Sequence, residues 1–319
     1  MVLLLLLWPL VMFGLKLHIW YASSVDEGRT IRRVHAGTLI DRAVTTLRAS
    51  TSLDHSQRGR ERNDAEELMM FALGVDEVPD QSDEILDGTR RAFEAMVERR
   101  VTGEPIAYIT GVAEFRGLEL IAEPGSFVPR HASDFLAEQA IRRLRRRKRP
   151  VHVDLATGVG TIALAVANEV PTATVYGADL SDAAVRLARR NAKRLGLSAT
   201  FRAGDLFDGV PGRIAGTVDV ITMHAPYIRR WELEYLADEV RRWEPEHTLT
   251  DGSDFGLELV VRVADEGERW LRPGGWLLIE VSPDRTQEVR RLMRAAGMRE
   301  IASTKGGLLP MTRVVVGRR

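Results

Sequence analysis

Apolar residues recur at three- and four-residue spacing through the first third of the chain. TLIDRAVTTLRAS, DAEELMMFALG and ILDGTRRAFEAMVERR each carry that period, which predicts three amphipathic helices between about Ile31 and Arg100. Asn63 or Asp64 can cap the second and Gly74 can end it, with the polar DHSQRGRERND reading as loop. From residue 106 to 128 the pattern turns to alternation. IAYITGVAEFRGLELIAEPGSFV is rich in β-branched and aromatic residues with glycines at turns, which predicts a β-hairpin between two domains. FLAEQAIRRLRRRKR then predicts a helix running to Pro150.

Beyond Pro150 the period changes again. VHVDL, TVYGADL, TFRAG, VDVITM and GWLLIEV are short apolar runs, most of them separated by helical segments. That alternation predicts an α/β domain of Rossmann-like build, a mostly parallel sheet with helices on both faces. LLPMTRVVVGRR adds a last strand, expected at an antiparallel edge. The expected organisation is an extension at 1–30, a helical domain at 31–105, a hairpin linker at 106–128 and the α/β domain at 129–319.

Composition narrows the classes. A chain of 319 residues with 45% hydrophobic and 28% charged residues suits a soluble protein of two domains. Lys+Arg and Asp+Glu are both 45, so no global charge points to nucleic acid or acidic lipid, and neither nucleic acid nor membrane is an expected partner. The local run RRLRRRKR at 142–149 reads as solvated charge at a helix C-terminus, where the helix dipole favours cations. The absence of cysteine excludes disulfides, thiolate metal sites and thiol nucleophiles, and it suits the cytoplasm, the expected location. His18, His35, His55, His131, His152 and His247 show no ligand spacing, so no metal is expected. MVLLLLLWPLVMFGL is shorter than the roughly 20 residues a membrane span needs, and Lys16 follows it rather than preceding it. It reads as a mis-set start or a packing helix rather than as a membrane or export signal.

The glycines of DLATGVGTIALAVA, residues 154–167, sit between a strand and a helix. Gly158 and Gly160 allow backbone to approach a ligand, and the helix N-terminus favours negative charge. Asp179, ending the next strand, can accept from both hydroxyls of a ribose. Gly158-Val159-Gly160-Thr161-Ile162-Ala163 also fits a dinucleotide fingerprint, so a nicotinamide enzyme must be weighed. Two features favour S-adenosylmethionine, which has no phosphate. Asp154, ahead of the glycines, can meet an ammonium, and Asp205 in Gly204-Asp205-Leu206 can accept from an adenine amino group.

With these motifs the chain resembles the HemK/PrmC family of S-adenosylmethionine-dependent protein glutamine methyltransferases, over about residues 31–319. VERRVTGEPIAYITGVAEFRGLEL is similar to the family's linker, and DLATGVGTIALA and GADLSDAAVRLARRNA to its cofactor motifs. WEPEHTLTDGSDFGLEL resembles its acidic loop, and LRPGGWLLIEV and TRVVVGRR its closing strands. The resemblance implies a helical substrate-recognition domain before the methyltransferase domain. It places S-adenosylmethionine against Asp154, Ala156, Thr157, Gly158, Gly160, Asp179, Leu180, Asp205, Leu206 and His224.

The departures from the family cluster on the acceptor side, while the cofactor side is largely kept. Its NPPY signature reads His224-Ala225-Pro226-Tyr227 here, and its PRPET stretch reads Pro129-Arg130-His131-Ala132-Ser133; Ala156 replaces the first glycine of the cofactor loop. His224, the Pro226 carbonyl, Tyr227 and, as helper, Glu244 are the expected acceptor-site residues. Histidine cannot copy an asparagine amide, but with an ordinary pKa of about 6.5 it can take a proton. A guanidinium must lose a proton as it is methylated and is drawn to carboxylates, of which Glu244, Glu246, Asp251 and Asp254 lie nearby in sequence. This favours a small, amino-acid-like acceptor such as free arginine. The glutamine of a release-factor protein is the alternative that the resemblance implies, and a non-catalytic module that binds S-adenosylmethionine is a third reading.

Overall fold

The computed structural model describes residues 34–55, 59–305 and 313–319, and the extension read at residues 1–30 lies outside them. The chain divides into two compact units, one from residues 34–48 and 59–97, the other from 49–55 and 98 onward.

In the first unit, β1 (Val34–His35) pairs antiparallel with β2 (Glu84–Ile85), around α1 (Ala36–Arg48) and α2 (Arg60–Leu73). Leu39, Ile40, Ala43, Val44 and Leu47 form the apolar stripe of α1 and are all buried. Helix α2 starts before the expected Asn63 or Asp64 cap. Gly59, at φ 81°, offers its carbonyl to the N–H groups of Arg62 and Asn63, while Gly74 ends the helix at φ 69° as read. Helix α3 (Asp87–Val101) carries the chain into the second unit.

The second unit corrects three expectations. IAYIT is not strand but a short helix, α4 (Ile106–Thr110), because Pro105 presets its first turn and Gly111 ends it at φ 78°. The hairpin is therefore only β3 (Val112–Phe115) and β4 (Leu118–Ile121). Helix α5 (Asp134–Leu144) stops well short of Pro150, since Leu144 is its last residue with apolar surface to bury.

The expected parallel strands are all present: β5 (Val151–Leu155), β6 (Thr174–Asp179), β7 (Thr200–Ala203), β8 (Val218–His224) and β9 (Leu271–Val281). Helices α6 (Thr161–Glu169), α7 (Asp182–Leu195), the short α8 (Asp238–Arg241) and α9 (Glu258–Trp270) lie between them in the chain. After α10 (Thr286–Ala295) come β10 (Arg299–Lys305) and β11 (Arg313–Arg318), both antiparallel. The order is β10-β11-β9-β8-β5-β6-β7, so TRVVVGRR is an inner strand and the polar REIASTK forms the edge.

One core of the sheet is closed by α5, α6 and α7, the other by α9 and α10, and β8 is buried along six of its seven residues. Strand β5 lies between β6 and β8, where the chain reverses its direction across the sheet. The crevice at the carboxyl ends of β5 and β8 is thus the topological switch point, where α/β sheets bind ligands.

Candidate functional site

Two segments open into that crevice, the loop after β5 and the HAPY tetrapeptide that begins on the last residue of β8. Ala156 (φ 52°), Gly158 (φ 56°) and Gly160 (φ 90°) turn the loop from strand to helix. A Cβ at Gly158 would meet nothing within 4 Å, so that position faces open space, whereas one at Gly160 would press on Leu164 and Phe201.

The loop is held from inside the protein. The N–H of Thr157 donates to the Ala178 carbonyl (3.0 Å), that of Gly158 to Asp179 Oδ2 (2.8 Å) and that of Gly160 to the Thr157 carbonyl (2.9 Å). Three backbone donors that a pyrophosphate would want are therefore used up, and a carboxylate stands beside them. This geometry disfavours the dinucleotide reading and suits a ligand with hydroxyls and no phosphate.

Asp179 also accepts from the Ser181 N–H (2.9 Å), and burial raises its pKa against the help of these two bonds. Asp154, the residue expected to meet an ammonium, is turned inward. It is 2% exposed, and its two oxygens accept from Thr157 Oγ1 and Thr222 Oγ1, each at 2.6 Å. It fixes the loop from below, with its pKa pushed up to about 6 by burial. Thr222 in turn accepts from His152 Nε2 (2.9 Å), a wholly buried ring whose pKa burial drives down to about 3. Leu180 is exposed beside Asp179, but the Leu206 side chain belongs to the core, so the expected contact there is open only to its backbone. Asp205 is held by Arg262 at 3.0 Å.

Across the crevice, His224 Nδ1 lies 3.2 Å from Ser133 Oγ. The Phe127 ring meets the imidazole edge-on at 5.3 Å, and Tyr227 lies 6.2 Å away at a shallow angle. Tyr227 bridges to Thr250 and the Ile228 N–H donates to the Leu249 carbonyl (3.0 Å), so the HAPY segment is laced to the acidic loop. Burial, with the charge of Glu280 beside it, pushes the Tyr227 phenol up to about 12.

Glu244 is buried and paired with Arg130, whose guanidinium lies over Phe127 at 4.8 Å. Burial raises the Glu244 pKa, and Arg130 works against that rise. The other carboxylates near His224 in sequence are occupied or turned outward. Asp251 accepts from the Ser253 and Glu258 N–H groups, Asp254 pairs with Arg230 at the surface, and Glu246 is exposed.

Sequence reasoning did not single out Phe127, Arg130 and Ser133 as a wall of this crevice, although all three lie in or beside the segment that departs from PRPET. It also missed Glu280, which pairs in register with His224 across β8 and β9, and in-register residues of parallel strands share a face. Glu280 is 0% exposed, and among the described residues neither of its carboxylate oxygens has a hydrogen-bond partner.

A family model described as the PrmC N-terminal domain matches residues 46–111, and one described as a methyltransferase domain matches residues 153–244. A protein of Xylella fastidiosa named release factor glutamine methyltransferase is 36% identical over 267 residues, 81% of this chain and 93% of its own length. The chain belongs to the HemK/PrmC family of S-adenosylmethionine-dependent methyltransferases. Relatives with the same name in Geobacter sulfurreducens (34% identical, 74% of this chain and 82% of the relative) and Streptomyces coelicolor (40%, 69% and 77%) extend the likeness. Among the described residues no helix is long and apolar enough to cross a membrane.

Proposed function

We propose that this methyltransferase transfers a methyl group from S-adenosylmethionine to the side-chain amide nitrogen of a glutamine in a peptide chain release factor. The observation that carries the reading is the collinear likeness to relatives of that name over as much as 93% of their length. The free-arginine reading rested on the carboxylates of the acidic loop, and of these Glu244, Asp251 and Asp254 are held by other groups while Glu246 is turned to solvent. An amide is uncharged and needs no such partner.

In this reading Asp179 accepts from the ribose, the Ala156–Gly160 loop lies along the methionine part, and Leu180 and Asp205 flank the adenine. His224 donates through Nδ1–H to Ser133 Oγ, which leaves Nε2 as a lone-pair acceptor for an amide hydrogen. The Pro226 carbonyl accepts the other hydrogen, and Tyr227 packs against the acceptor. Together they draw the amide lone pair onto nitrogen as the methyl leaves the sulfonium sulfur in line, and the amide proton displaced by the new carbon–nitrogen bond passes to His224 Nε2. Glu244 keeps Arg130 in place at the wall.

The test is to offer release factor and free arginine side by side with S-adenosylmethionine and to read the products by mass spectrometry. One added methyl on a single release-factor glutamine is the expected result. Methylated arginine with unmodified release factor would overturn the reading. His224→Ala is expected to lower turnover by ~10²–10³-fold at unchanged cofactor affinity, the range for loss of one positioned hydrogen-bonding group. His224→Asn, which restores the family residue, is expected to retain glutamine methylation.

A further inference from the structure

The basic run at 142–149 does more than meet solvent. Arg142, Arg143, Arg146 and Arg147, at the end of α5 and just past it, line one wall of a groove of about 530 Å³. Arg272, near the start of β9, and Arg318, at the end of β11, line the other. The helix dipole accounts for cations at the end of α5, but not for two more converging from separate strands. The groove lies at the start of β8, whereas His224 ends it. Seven residues of strand, about 20 Å, separate it from the crevice.

The charges in the groove do not cancel. Asp219 takes both Arg272 and Arg147, and Glu300 takes Arg318. Among the described residues, Arg142 and Arg143 hydrogen-bond to Gln139 and have no ion pair, and Arg146 has none either. Six arginines against two carboxylates leave a local excess of four positive charges in a chain whose formal net charge is zero. Arg143 is turned inward, its guanidinium 4.5 Å from the Trp276 ring centroid, and its Nε is buried without a hydrogen-bond partner. Arg318 approaches the same ring at 5.6 Å. Gly274 makes room for it, since a Cβ there would stand 3.1 Å from Arg318 Nη2.

Forked guanidinium donors match phosphate oxygens two at a time, and the volume is that of a small-molecule site. Two guanidinium groups already lie against Trp276, which favours recognition of phosphate over stacking of a base. We propose that this groove binds a di- or triphosphate group, carried by a nucleotide or present as free polyphosphate. The proposal is independent of the methyl acceptor.

The test is calorimetry on the full-length protein with inorganic tripolyphosphate, a nucleoside triphosphate, its phosphate-free nucleoside and a hexaglutamate peptide. Both phosphate probes are expected to bind, and more weakly as salt rises from about 50 to 200 mM. A nucleotide that binds more tightly than tripolyphosphate identifies the nucleotide as the source, and equal affinity identifies phosphate alone. The nucleoside should not bind. Arg142→Gln/Arg146→Gln removes two cations that lack carboxylate partners, and should weaken both phosphate probes by about tenfold or more while S-adenosylmethionine affinity and circular dichroism stay unchanged. Absence of phosphate binding, equal affinity in the variant, or hexaglutamate bound as tightly as tripolyphosphate would each overturn the proposal.

Discussion

Both oxygens of Asp179 already accept a backbone N–H, one from Gly158 and one from Ser181, and each keeps a lone pair for a ligand hydroxyl. Asp179→Ala therefore acts twice. It removes a charged acceptor from the cofactor and leaves two loop donors unsatisfied, each worth about 1–3 kcal/mol if buried. Calorimetry should show S-adenosylmethionine binding weakened by about tenfold or more, and urea unfolding should show a less stable protein. Normal stability with weakened binding would mean that the loop does not rest on Asp179. Glu280 is the reverse case, a wholly buried carboxylate with no hydrogen-bond partner among the described residues. A buried polar group without a hydrogen-bond partner costs stability, and an apolar side chain of similar length removes that cost. Glu280→Met is thus expected to raise the thermal midpoint while lowering methyl transfer, because Glu280 shares the sheet face of His224. A lowered midpoint would reveal a stabilising partner for the carboxylate.

Strands β6 and β7 meet the cofactor loop through one missing side chain. A Cβ on Gly177 would stand 2.5 Å from the Phe201 ring and 2.9 Å from Thr157 Oγ1. Gly177→Ala should cost about 1–3 kcal/mol by overpacking and disturb the loop through Thr157. Phe201→Leu in the same chain should recover part of the loss, and additive effects in the double-mutant cycle would show that the two positions are not in contact. No sequence pattern announces this contact, since TVYGAD reads as a strand whichever neighbour Gly177 faces. The strands themselves could be read because β5, β8 and the Leu277–Val281 half of β9 are buried on both faces and so are dense in apolar residues. Alternation misled at Ile106–Thr110, where buried Ala107, Tyr108 and Ile109 satisfy a helix as well as a strand, and Pro105 decides. The acceptor wall was harder to read. Arg130 meets Glu244 across 114 positions and Ser133 meets His224 across 91, separations at which local periodicity carries no signal.

At the scale of the whole molecule, one buried pair beneath the loop ties stability to pH in two opposite directions. His152 donates to Thr222, and Thr222 donates to Asp154. The His152 pKa is about 3 in the folded protein, below its ordinary 6.5, so the unfolded chain takes that proton first. Its contribution is complete above pH 6.5 and is lost as the pH falls toward 3. Asp154 is shifted the other way, to about 6 from 3.8, so the folded protein takes that proton first. Its contribution is complete below pH 3.8 and is lost as the pH rises through 6. Between about pH 4 and 6 the two trends oppose each other, and below that window only the His152 loss continues. His152→Leu keeps the bond from Thr222 to Asp154 and removes the opposing half. Urea midpoints of parent and variant, measured at steps from pH 7 to pH 3.5, should therefore diverge, the variant gaining on the parent as the pH falls. A constant difference between them would show that His152 takes up no proton on unfolding, and that the acid response of the fold is set elsewhere.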